Sequence, residues 1–435
     1  MVLDYAHALA LQRARASPSS ATVKPALART AIHALLSRLQ VGQLTVVEGG
    51  RRRTYGPGGA PSAIVEVRSD ALWPYLVRGS RGLAESYMAG LWDTPDLPAV
   101  IRVAARNIVA MDELRIRLSP LREPYQRARS LLVRNTPARS REDIAAHYDL
   151  GNDLFELMLD PTMMYSCAVF PRASATLQEA QETKLELICR KLQLRAEDRL
   201  LEIGTGWGGL AIHAARTRGC HVTTTTLSRE QRDLAVRRIA DAGLSDRVEV
   251  VMEDYRDLRG SYDKLASVEM IEAVGWKDFG TFFRACSNRL VPEGLMFLQA
   301  IVIDDRAYDV EKASKTFIRT YIFPNGCLPS NAVIARSLAR ETDLRTVHLE
   351  DLSPHYALTL AQWRANLEAG EATLDEVGYD ERFRRLWRLY LAYCEAGFAE
   401  RRIGLVQQVL AKPNWRGTIT AGAPALAHPT AIAAG

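Results

Sequence analysis

The segment Leu200-Leu201-Glu202-Ile203, an apolar strand pattern broken only by Glu202, runs straight into Gly204-Thr205-Gly206-Trp207-Gly208-Gly209 and then into apolar residues at helical spacing over 210–216. A strand-to-helix turn this dense in glycine brings backbone against a ligand at positions where any Cβ would collide. The spacing G-x-G-x-G is not the G-x-G-x-x-G of a dinucleotide fold, and no Lys-Ser/Thr pair follows to grip phosphates. A nucleoside without phosphates therefore suits the turn better than NAD or ATP. Around it, strand patterns over 199–203, 221–226, 248–252 and 265–268 alternate with helical ones over 210–216 and 230–242. This alternation predicts an α/β, Rossmann-like domain with a mostly parallel sheet covered on both faces.

Upstream lies a smaller α+β pattern. A helix carrying Ile32, Leu35, Leu36 and Leu39 precedes strands over 44–47 and 63–67, separated by a turn-rich stretch over 49–61, and helices over 72–76 and 83–89 follow. The expected organisation is a small N-terminal domain over 1–110, an arginine-rich linker over 111–141, a larger α/β domain over 142–413 and a flexible, Ala- and Pro-rich tail over 414–435. Eight arginines against Asp112, Glu113 and Glu123 give the linker the chain's whole net charge of +5. Such a stretch is either a solvated connection or a surface for anionic lipid, where each basic residue contributes about 1 kcal/mol. Tyr125 is its only aromatic residue, which argues against nucleic acid. No apolar run approaches the roughly 20 residues a bilayer requires, and no basic, then apolar leader opens the chain, so residence in the cytoplasm is expected. The six cysteines form no C-x-x-C pair and have no histidine at ligand spacing, against disulfides and structural zinc.

The turn together with Glu202 resembles motif I of the S-adenosylmethionine-dependent methyltransferases. That superfamily commonly ends its second strand in an acid that binds ribose, yet here Thr223 to Thr226 lead to Leu227-Ser228 without one. The run Thr226-Leu227-Ser228-Arg229-Glu230-Gln231 is instead similar to the cyclopropane-fatty-acyl-phospholipid synthases, the relatives of the mycolic acid cyclopropane synthases. Further motifs resemble that family in order: Gly82-Leu83-Ala84-Glu85-Ser86-Tyr87-Met88-Ala89-Gly90-Leu91-Trp92, His147-Tyr148-Asp149-Leu150-Gly151-Asn152-Asp153-Leu154-Phe155, Met164-Tyr165-Ser166-Cys167-Ala168, Glu269-Met270-Ile271-Glu272-Ala273-Val274-Gly275, and Tyr321 to Ser330. The resemblance implies cofactor contacts from Tyr165, Ser166, Glu202, Gly204, Gly206, Gly208, Thr226, Leu227 and Gln231, with Asp254 and Tyr255 beside the adenine.

It further implies a chemistry. An isolated alkene is a weak nucleophile, so the sulfonium methyl must meet it in a dry site, and the carbocation formed must lose a proton before the ring closes. At about 4 Å and an effective dielectric near 20, one anion stabilises that cation by roughly 4 kcal/mol, on the order of a thousandfold in rate. In the family this anion is a bicarbonate ion, whose binding groups carry over onto Cys167, Glu272, Tyr356 and the segment Gln299-Ala300-Ile301. Gln299 departs from relatives that carry histidine there; glutamine keeps a hydrogen-bonding group but takes up no proton. Cys394 occupies a position the family treats as an active-site cysteine, although a cysteine on a helix flanked by Tyr393 and Phe398 reads more readily as core than as nucleophile. Residues 317–323 and 383–391 would help form an acyl tunnel. The expected function is methylene addition across the cis double bond of a phospholipid acyl chain, at the inner face of the membrane and by a homodimer. Methyl- or methylene-branched products, a small-molecule N- or C-methyltransferase, and a non-catalytic lipid-binding module are the alternatives.

Overall fold

Two sheets organise the chain in a computed structural model that describes residues 24–107, 151–314, 316–324, 326–424 and 426. The smaller contains β1 (Gly42–Glu48), β2 (Arg51–Gly58), β3 (Ser62–Val67) and β4 (Trp92–Asp93) in the order β2-β1-β3-β4. Strand β2 falls inside the stretch expected to be turns. It pairs with β1 across Gly49-Gly50, both at positive φ, in the two-residue hairpin geometry that favours glycine. Its solvent-facing edge position explains the missing apolar alternation: Arg51, Arg52, Arg53 and Thr54 are exposed, and only Tyr55 is buried.

The larger sheet comprises β5 (Arg199–Ile203), β6 (His221–Thr225), β7 (Val248–Val251), β8 (Tyr262–Val268), β9 (Leu290–Ile303), β10 (Arg345–Asp351) and β11 (Ile403–Ala411), ordered β10-β11-β9-β8-β5-β6-β7. Strands β5 to β9 are parallel, and β11 runs antiparallel to β9 and β10. The α/β expectation holds, and the four strands expected near the glycine turn form within a few residues of their predicted ends. From β5 the chain winds outward through β6 and β7, then returns to place β8 on the other side of β5. Ligands of open α/β sheets bind at the carboxyl ends of strands flanking such a reversal.

The N-terminal domain packs directly on the larger one. Arg385, on the helix Glu381–Ala399, donates to the carbonyls of Tyr87 (2.6 Å) and Trp92 (2.9 Å), and its guanidinium covers the Tyr87 ring at 4.0 Å. The Tyr321 hydroxyl donates to Glu85 at 2.9 Å. The arginine-rich linker and residues 147–150 of the His147 motif lie outside the described residues. Of the expected tail, Trp415 and Ile419 pack against the core beneath the sheet, and Ala423 N–H donates to Glu350. Among the described residues no helix is long and apolar enough to cross a membrane.

Candidate active site

The glycine turn takes the form its sequence requires. Gly204, Gly206 and Gly208 have φ of 104°, 52° and 84°, a left-handed region costly to residues with a Cβ. A Cβ built on Gly206 would meet no atom within 4 Å, so that point of the turn faces open cleft. S-adenosylmethionine fits this setting: backbone at Gly204 to Gly208, the half-buried Leu227 just beyond β6, and the Asp254-Tyr255 pair after β7 all lie at the carboxyl edge.

Several expected cofactor residues support that edge from within. Glu202 sits under the turn at 3% exposure, its Oε2 2.6 Å from the Thr224 hydroxyl, which is 2.8 Å from Thr205 Oγ1. Thr226 is buried and donates to Gln231 Oε1 at 2.9 Å. Both Asp254 oxygens accept from the Arg256 guanidinium at 2.7 Å, and the Tyr255 ring meets Phe282 edge-on at 5.5 Å. Tyr165 shares a 2.8 Å hydrogen bond with Tyr390 OH, and Ser166 Oγ accepts from the buried Lys184 Nζ at 2.7 Å.

Burial raises the Glu202 carboxyl to about 8, above its ordinary 4.5. The folded state therefore binds more protons than the unfolded one between about pH 4.5 and 8, and stability falls as pH rises through that window, by at most about 1.4 kcal/mol per unit for this group. Glu202→Gln should narrow the difference in denaturant midpoint measured at about pH 6 and about pH 8. An unchanged difference would mean that Glu202 stays ionised.

The second cluster lies just past the end of β8 and beside the last residues of β9. Three of the expected anion-binding groups converge, but on a residue the sequence reading did not single out. Glu269 Oε1 accepts from Cys167 N–H at 2.9 Å and from Gln299 Nε2 at 2.7 Å, and its Oε2 accepts from Tyr356 OH at 2.5 Å. The fourth donor, Ile301 N–H, binds Glu272 Oε1 at 2.5 Å. Glu272 Oε2 is shielded from solvent and without a hydrogen-bond partner among the described residues. A bicarbonate ion does not fit: every donor expected to hold it already serves a carboxylate, and it would add a further anion beside two acidic side chains.

Enclosure, then the neighbouring Glu269, lifts the Glu272 carboxyl to about 8, so it is protonated near neutrality. Burial also raises Glu269, while the bonds from Tyr356, Gln299 and Cys167 and the charge of Lys184 oppose that shift. The Cys167 contribution is its backbone N–H. Its thiol is fully buried, donates to the Ala168 carbonyl at 3.2 Å and is held neutral by burial. Cys394 is half-buried against the main core, and burial pushes its thiol up to about 12. Neither is a thiolate nucleophile. Aromatic rings line this region: Tyr356 stacks on Phe398 at 4.3 Å, Tyr165 lies 5.2 Å from Trp363, and Phe323 meets Tyr390 edge-on at 6.2 Å. The last pair joins the two segments expected to form the acyl tunnel.

One signal for Glu269 was present in the sequence. Gln299 interrupts the apolar run of β9, and a buried amide needs partners; β8 sets Val268 opposite it in register, so the next residue, Glu269, is in reach.

Residues 135–408 match the mycolic acid cyclopropane synthetase family. The chain is 40% identical to tuberculostearic acid methyltransferase UfaA1 of Mycobacterium tuberculosis over 404 residues, which cover 91% of this chain and 92% of that protein. It is 37% identical to cyclopropane-fatty-acyl-phospholipid synthase of Escherichia coli over 362 residues, 82% of this chain and 89% of that one. The crystal structure of mycolic acid cyclopropane synthase CmaA1 complexed with SAH and CTAB superposes with a TM-score of 0.58 at 30% identity, covering 62% of this chain and 98% of that one. With its fold, its glycine turn and these likenesses in agreement, the chain belongs to the mycolic acid cyclopropane synthetase family and is an S-adenosylmethionine-dependent methyltransferase.

Proposed function

We propose that the protein methylates the cis double bond of an unsaturated acyl chain in a membrane phospholipid and closes a cyclopropane ring. The observation that carries this reading is a pair of enclosed carboxyl groups, Glu269 and Glu272, at the carboxyl edge of the sheet beside an aromatic wall. When bound, S-adenosylmethionine supplies an electrophilic methyl carbon. The protein's part is to hold an alkene beside it, keep water away and accept a proton. Tyr165, Tyr356, Trp363 and Tyr390 present π faces of the kind that attract a cation, and neither Cys167 nor Cys394 offers it a thiolate. The likeness to the Escherichia coli synthase supports a phospholipid substrate. Access from the cytoplasmic face of an anionic membrane is supported by exposed Arg51, Arg52 and Arg53 and by the exposed apolar Leu27 and Leu35 on the N-terminal domain.

The test is incubation with deuteromethyl-labelled S-adenosylmethionine and vesicles of unsaturated phospholipid, followed by mass spectrometry of the acyl chains. The product should keep two of the three deuteriums, resist mild hydrogenation as a ring does, and form faster on anionic than on zwitterionic vesicles. Retention of all three deuteriums, or a product that takes up hydrogen as an alkene does, would exclude ring closure.

A further inference from the structure

The anion site is built around a side chain. The Cys167 amide, the Gln299 amide and the Tyr356 hydroxyl all donate to one carboxylate, Glu269, with none left for a dissolved anion. We infer that Glu269 is itself the stabilising anion and general base of the reaction, a fixed carboxylate doing the work of a diffusible one. The assignment rests on the alkene-methylating function proposed above.

The surrounding structure holds Glu269 to that task. Its backbone adopts φ of 50°, a conformation unfavourable to a residue with a side chain and often found where function demands it. Its N–H donates to the Gln299 carbonyl at 2.8 Å, so the two residues are joined through backbone as well as side chain. Gln299 is oriented in turn. Its Oε1 accepts from Gln407 Nε2 at 2.8 Å, and Gln407 Oε1 accepts from Lys191 Nζ at 2.6 Å, a cation that also binds Glu350. The charge of Lys191 fixes which end of each amide faces inward, leaving Gln299 NH2 toward Glu269. A glutamine cannot take the proton, so it holds the base without competing with it. The Lys184 charge acts on Glu269 favourably, whereas Glu272, protonated near neutrality, places no second full charge beside it.

In the proposed step the alkene's π pair has formed the bond to the incoming methyl carbon, leaving a cation at the other alkene carbon. One C–H bond of that methyl then breaks: the proton goes to a Glu269 oxygen, and the bonding pair closes the third side of the ring. Glu269 returns the proton to solvent when product leaves. Charge balances, because the cation is discharged by loss of one proton and no oxidant or further reactant is needed.

Three forms of the full chain test this with labelled S-adenosylmethionine and unsaturated phospholipid vesicles in buffer stripped of carbon dioxide. The wild-type protein should keep its full kcat, unchanged by added bicarbonate. Glu269→Gln, which preserves size, should lose about a thousandfold in kcat, the scale of a positioned general base, while binding SAH in calorimetry as the wild type does. Glu269→Gly vacates the three donors and should regain turnover when bicarbonate is added; it should also broaden the NMR signal of isotopically labelled bicarbonate, which the wild type should leave sharp. The assignment is overturned if wild-type kcat falls by about tenfold or more without carbon dioxide, or if Glu269→Gln binds SAH and turns over at the wild-type rate. A wild-type protein that modifies no unsaturated lipid at all would refute the alkene-methylating function itself, and with it this role for Glu269.

Discussion

Replacing Lys184 by methionine should destabilise the protein by about 1–3 kcal/mol, the usual cost of leaving a buried hydrogen-bonding group without its partner. The side chain is fully buried, and its Nζ donates to Ser166 Oγ at 2.7 Å. Burial lowers its pKa to about 8, against the opposing pull of Glu269, Cys167, Asp160 and Glu202. Below that pH it is the cation that offsets the charge of Glu269. Methionine fills a similar volume but leaves Glu269 in a low-dielectric site without compensation, so its carboxyl is pushed further up and tends to protonate. The sign of the pH dependence follows. Between about pH 8 and 10.5 the folded wild type binds fewer protons at Lys184 than the unfolded chain, so this residue's contribution makes stability rise with pH across that window. The methionine variant lacks that rise. Urea titrations of both proteins at several pH values measure both effects. Equal stability at neutral pH would mean that Glu269 carries no charge in the resting protein, and would remove the electrostatic basis for treating it as a base.

The sequence specified the cofactor half of the site better than the chemical half, for a physical reason. Glycines at a strand-to-helix turn advertise themselves, because only glycine readily takes the φ values found at Gly204, Gly206 and Gly208. The strands beside that turn, β5, β6 and β8, are largely buried, so their presence could be anticipated from alternation with helices. The carboxylate cluster depends on contacts across long sequence separations: Cys167 with Glu269, Glu269 with Tyr356, and Gln299 with Gln407. Glu269 and Glu272 are three residues apart on one segment, and resemblance favoured the second, whereas the geometry gives the first three donors and the second one. Strand β2 was missed for a different reason. Its arginines face solvent, and a strand with one buried side chain leaves little periodicity to read. The buried cations Lys184 and Lys191 were equally silent, since nothing local separates a lysine on a helix surface from one turned toward a carboxylate.

Two glycines of one turn should fail in different ways when each is changed to alanine. Gly206→Ala places its methyl where no protein atom lies within 4 Å, so the fold loses only about 1–2 kcal/mol for a left-handed residue with a Cβ. Because the new methyl points into the cleft, SAH affinity should fall by about tenfold or more, equivalent to about 1.4 kcal/mol. Gly209→Ala, at the first residue of the helix Gly209–Arg218, puts its Cβ 2.5 Å from Met164 Sδ and 2.7 Å from the Thr162 carbonyl oxygen. The methionine can swing aside, but the carbonyl cannot move freely, because Thr162 is bonded through both its N–H and its hydroxyl to Asp160, at 2.9 and 2.8 Å. Overpacking of this kind costs about 1–3 kcal/mol. The strain passes along the chain, since Met164 leads directly to Tyr165, Ser166 and Cys167, and Cys167 N–H is one of the three donors to Glu269. Gly209→Ala should therefore lower stability, SAH affinity and kcat together, whereas Gly206→Ala should weaken SAH binding with kcat at saturation largely kept. Calorimetric SAH titrations beside saturating-rate measurements separate the two, and equal loss of kcat in both variants would show that the turn and the carboxylate cluster are not coupled through the 162–167 segment.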